Sequence, residues 1–153
     1  MGILLRSVRG AAAGAAATVA MSGVMLVGQR QGRLGRQPPE QITEAGLDAA
    51  DVGADEPTED ALATAAHFGF GAGAGAAFEL LALRKAPLPA EAVGALYGLT
   101  VWAASYAGWI PAAGILPPPS RDRDDRVATI LVAHLVYGVA LGGASRLLSR
   151  VGR

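Results

Sequence analysis

A chain of 153 residues with zero formal net charge, 52% hydrophobic and 17% charged residues offers no basic stripe for nucleic acid. It contains no cysteine, which excludes disulfides, thiolate metal sites and a Cys nucleophile. Mean hydropathy is +0.35, high for a soluble domain.

Four segments are long enough to cross a bilayer: Gly10–Gly28, Ala61–Leu83, Ala90–Leu116 and Val127–Leu148. A hydrocarbon core of roughly 30 Å takes about 20 apolar helical residues. Backbone in lipid must satisfy its own hydrogen bonds, and helices do so. The expected fold is therefore all-α: a polytopic transmembrane bundle of four helices, a single integral membrane domain over 1–153. Soluble amphipathic helices would carry a charged face every turn, and these segments do not. Much of their apolar content is Ala and Gly, so each inserts weakly alone and depends on its neighbours.

The first segment follows Arg6 and Arg9 and precedes Arg30, Arg33 and Arg36. Its apolar run exceeds that of a signal peptide, and it reads as a retained helix. Residues 29–60 form the one long loop, basic first and then acidic, lying outside the membrane. Within it Pro39–Ala50 has the pattern of a short surface helix, with Ile42 and Leu47 as apolar contacts. Its acidic residues lack the spacing of a calcium loop and read as a solvated face. No metal site is expected.

The second segment carries His67, the run Gly69-Phe70-Gly71-Ala72-Gly73-Ala74-Gly75, and Glu79. The glycine run lacks the strand and third glycine of a dinucleotide fingerprint. Glu79 precedes Arg84 by about a turn and pairs naturally with it or with Lys85; a proton relay is the sharper alternative. Pro111 should kink or end the third segment near Ile110, and Pro117-Pro118-Pro119 close it. The fourth follows a charged connector and contains His134-Leu135-Val136-Tyr137-Gly138.

Small residues at four-residue spacing recur, and Gly69, Gly71, Gly73, Gly75, Gly138 and Gly142 are the expected helix-packing positions. They suit a tight bundle or the face of a homo-oligomer. His67 and His134 enter from the same side at matched depth, roughly 8–11 Å below the interface. Tyr106 and Tyr137 fall in the same half, so these four side chains form the expected polar intramembrane cluster. Intramembrane ionisable groups point to function, although a neutral histidine bonded to a carbonyl or a tyrosine serves structure equally.

His67 with its glycine-rich continuation, Gly94-Ala95-Leu96-Tyr97-Gly98, Trp109-Ile110-Pro111, Gly114-Ile115-Leu116-Pro117-Pro118 and His134-Leu135-Val136-Tyr137-Gly138 together resemble the YagU-like inner-membrane proteins. The resemblance covers about residues 61–142, and the loop over 29–60 departs from it. It implies no biochemical activity, a proposed link to acid tolerance, and family positions for both histidines.

No catalytic motif is present: none of the serines lies in a Gly-x-Ser-x-Gly context. The expected protein is non-enzymatic, a structural or oligomerising component in contact with lipid, alone or in a larger membrane complex, and without nucleic acid. Proton or small-solute permeation through His67 and His134 is the first alternative. Bis-histidine haem ligation is the second. The Arg-over-Lys, Ala/Gly-rich composition is that of a GC-rich bacterial genome. The terminal side of the membrane carries one more basic residue than the other, a bias that places both termini in the cytoplasm.

Overall fold

The computed structural model describes residues 2–81, 83 and 86–151, and the described residues are all-helical, with no strand. Helix α1 spans Ile3–Arg30, an Ala-, Gly- and Leu-rich run free of proline. It stops where Gly32 adopts φ +72°. The amide of Gly32 then bonds the carbonyl of Gln29, and that of Arg33 the carbonyl of Gly28 at 2.9 Å. This is a Schellman stop, which needs glycine at the left-handed position. The short helix α2, Pro38–Ala49, opens on a capping box in which the Gln37 amide reaches the Glu40 carboxylate at 3.1 Å.

Helix α3 spans Glu56–Leu80. Asp55 caps it by accepting the Thr58 amide at 3.3 Å, and hydrogen bonds from the Thr58 side chain and then its amide hold the Asp55 carboxyl below its ordinary value. A depressed carboxyl contributes stability above its unfolded pKa, near 3.9, and loses it as pH falls through the folded value. Asp55→Asn keeps the cap without the charge, so acid titration followed by circular dichroism should show less helix loss for the variant.

Helix α4 runs Ala90–Ala104, and a π turn over Ser105–Trp109 follows, then α5 over Ile110–Ala112. The third segment is thus interrupted just before Pro111, as expected, and its helix ends at Ala112 rather than Leu116. Pro111 has no amide hydrogen for the α ladder, and the wider turn takes up the mismatch just before it. Helix α6 spans Asp124–Val151. Each of α3 and α6 begins before its expected start, because the charged turns at Glu56–Asp60 and Asp124–Arg126 are themselves helical.

Packing follows the glycines. Gly10 and Gly14 on α1 meet Gly75 and Gly71 on antiparallel α3, where a Cβ on Gly75 would lie 2.7 Å from the Gly14 Cα. Gly94 and Gly98 on α4 meet Gly142 and Gly138 on antiparallel α6, where a Cβ on Gly98 would lie 3.0 Å from the Gly138 Cα. At both crossings backbone lies directly on backbone. The molecule is consequently two helical hairpins, α1–α3 and α4–α6, joined mainly through α1 against α6, with α2 laid on α3. Gly69 and Gly73 take no part in packing within the chain: nothing lies within 4 Å of a Cβ on either. Glycines two apart on a helix face opposite ways, so only one of the two sets can face the partner helix.

The sequences of the hairpins echo each other. His-x-x-aromatic-Gly-x-x-x-Gly occurs at residues 67–75 and again at 134–142, and Gly-x-x-x-Gly at 10–14 and 94–98. The same interval separates His67 from His134, Gly71 from Gly138 and Gly75 from Gly142.

Among the described residues two helices, Ile3–Arg30 and Asp124–Arg150, are long and apolar enough to cross a membrane. The other two segments fall short for physical reasons: glycines and His67 dilute α3, and the π turn divides α4. Large apolar side chains stand exposed along helix flanks, among them Leu5, Val19, Phe70, Leu96 and Val139.

Candidate functional site

A cavity of about 210 Å³ lies between the hairpins, in the half of the molecule that holds α2. Thr18, Met21 and Met25 of α1 line it, with Pro38, Pro39 and Ile42 of α2 covering one side. His67, Phe70 and Gly71 come from α3, and Ile130, His134 and Tyr137 from α6. The π turn contributes Ser105, Tyr106 and Trp109, so the break in α4 sets three side chains on the wall.

His67 and His134 therefore line one cavity, but its walls are predominantly apolar, where a polar cluster was expected. His134 is buried, and its Nδ1 lies 2.8 Å from the Ile130 carbonyl. A carbonyl only accepts, so Nδ1 carries the proton and Nε2 presents a lone pair. The Nε2 of His67 is buried without a hydrogen-bond partner. The two tyrosines do not complete a cluster with the imidazoles. Tyr106 donates to the Asp122 carboxylate, which Arg126 also approaches at 3.4 Å. Tyr137 donates to the Gly71 carbonyl at 2.7 Å, and Tyr97 to the Ala74 carbonyl at 2.8 Å. Both pin neighbouring helices to the bare backbone of α3. A glycine-rich helix leaves its carbonyls open to such second bonds.

Glu79 lies at the opposite end and is wholly buried. Its expected partner, Arg84, lies outside the described residues. The structure pairs Glu79 with Arg9 of α1 at 2.8 Å, and Ser145 of α6 donates to the same carboxylate. Arg6 donates to the carbonyls of Glu79 and of Leu80, closing the end of α3. The carboxylate turns inward, where three helices meet. The second hairpin carries a more exposed counterpart of reversed polarity, Arg146 on α6 with Glu91 on α4 at 2.6 Å.

Arg9, Ser145, Asp122 and the α2 wall escaped the sequence reading. Arg9 and Ser145 lie in different segments from Glu79, as does Asp122 from Tyr106, and no local spacing links those pairs. The echo between residues 67–75 and 134–142 was the available signal for the paired histidines. Among the described residues, no three His, Asp or Glu side chains converge to hold a metal ion.

No curated protein and no solved structure matches the chain, and nothing in these comparisons ties it to the YagU-like proteins. A family model matches residues 5–152, and the chain belongs to that family: DUF6789, a family of unknown function.

Proposed function

We propose that this is a non-catalytic membrane protein of the bacterial cytoplasmic membrane that admits a small molecule into the cavity between its hairpins. All four long helical segments cross the bilayer in this reading, with both termini cytoplasmic. The observation that carries it is the cavity itself, with the two repeat-related histidines on its wall. Binding sites in repeat-built membrane proteins lie between the repeats, where helices are interrupted. The π turn at Ser105–Trp109 is such an interruption. The flank of exposed apolar side chains supports lipid contact.

An engineered cavity of about 150 Å³ takes up benzene, so a space of about 210 Å³ suits a single substituted ring. A porphyrin is several times larger, which disfavours the bis-histidine haem reading.

Introduced cysteines test the topology and the cavity together, since the chain has none of its own. In intact cells Ala50→Cys and Ser120→Cys should share one accessibility to an impermeant thiol reagent, and Ser7→Cys and Ser149→Cys the other. Ser105→Cys, on the cavity wall, should react with a small thiosulfonate from the Ala50 side alone. A different grouping refutes the four-span topology, and an inert Ser105→Cys refutes an admitting cavity.

A second reading, homo-oligomerisation, rests on Gly69 and Gly73, which face outward with no neighbour. The other glycines of the expected packing set are occupied within the chain.

A further inference from the structure

We infer that the cavity takes a small, largely apolar molecule carrying a hydroxyl group, a phenol or a compact alcohol, held by His67 and His134. This rests on the admitting cavity proposed above and names its occupant. Size and apolar walls select a single-ring body. The polar groups select the rest. His134 is fixed by its bond to the Ile130 carbonyl, so its Nε2 accepts hydrogen bonds. An occupant without a donor gains nothing from it. The Nε2 of His67 is buried with no protein partner, so an occupant supplying one relieves a buried orphan. A hydroxyl donates and accepts, and so satisfies either imidazole. A hydrocarbon satisfies neither, and a carboxylate brings a charge into an apolar chamber. Tyr106 and Tyr137 do not compete for the imidazoles, because their hydroxyls are engaged with Asp122 and Gly71.

The test uses 4-ethylphenol and 4-ethyltoluene, near-equal in size and differing by hydroxyl against methyl. Each is titrated into the full-length protein in lipid nanodiscs, with empty nanodiscs correcting for partitioning. His67 and His134 are the chain's two histidines, so ¹⁵N-histidine labelling reports on these rings alone. The phenol should shift the ring nitrogen resonances saturably and quench fluorescence from Trp109 on the cavity wall. Its affinity should exceed that of 4-ethyltoluene by about tenfold, the ratio one neutral hydrogen bond gives. His134→Phe and His67→Phe should bring that ratio down toward one. Equal affinity for the two probes, or phenol uptake without ring shifts, overturns the assignment. The ring shifts decide the matter in the unaltered protein even where a variant does not fold. A reactive Ser105→Cys with no phenol preference refutes this occupant while leaving the cavity reading in place. An inert Ser105→Cys removes both.

Discussion

Glu79→Gln is expected to lower stability by about 3–5 kcal/mol, the usual cost of breaking one side of a buried ion pair. The substitution leaves the volume nearly unchanged, so packing is not the cause. It strips the Arg9 guanidinium, 11% exposed, of the carboxylate 2.8 Å away. It also changes the acceptor for Ser145. Replacing both members of this pair, Arg9→Met with Glu79→Leu, should cost less than the single change. Two charges are then no longer withheld from water, and apolar groups of similar volume often match or exceed a buried pair. Unfolding in detergent, followed by circular dichroism, measures both variants. A single variant as stable as the native chain would mean that the carboxylate is solvated.

The second large effect is expected at the helix crossings. Gly75→Ala adds one methyl where the Gly14 backbone stands 2.7 Å away at Cα and 2.8 Å at the amide nitrogen. Backbone cannot swing aside as a side chain does, and overpacking of this kind costs about 1–3 kcal/mol. Gly73→Ala, on the same helix two residues earlier, has nothing within 4 Å. It should be neutral or gain up to about 1 kcal/mol from helix propensity. The sign difference between neighbouring glycines is the diagnostic. Equal effects would place both on the same kind of surface.

The glycine pairs at 71/75 and 138/142 were legible because close approach of backbones demands the smallest residue at every fourth position. Periodicity does not say which stripe turns inward when two overlap, and Gly69 and Gly73 therefore could not be sorted from Gly71 and Gly75. Matched depth placed His67 and His134 together, since helix rise alone fixes depth. The apolar character of their surroundings was hidden, because it depends on Met21, Met25 and Ile42, brought in from α1 and α2. Pro111 announced a break in α4. Its form, a π turn aiming Tyr106 at Asp122, depends on a contact across the connector. The Arg9 contact of Glu79 was hidden for the same kind of reason: it forms across the antiparallel crossing of α1 and α3, far from Glu79 in sequence.

The reversed polarity of the two salt-bridged pairs bears on how the hairpins find their own halves. Four helices with interchangeable glycine stripes invite wrong marriages while the chain is still assembling. Were α1 to dock its stripe on α6, Arg9 would confront Arg146, and Glu79 would be left to Glu91. Like charges about 4 Å apart repel by roughly 4 kcal/mol at an effective dielectric of 20, whereas the native partners attract. The discrimination is thus repulsive as much as attractive. A single exchange of sign between otherwise similar hairpins favours the native pairing of helices over the exchanged one.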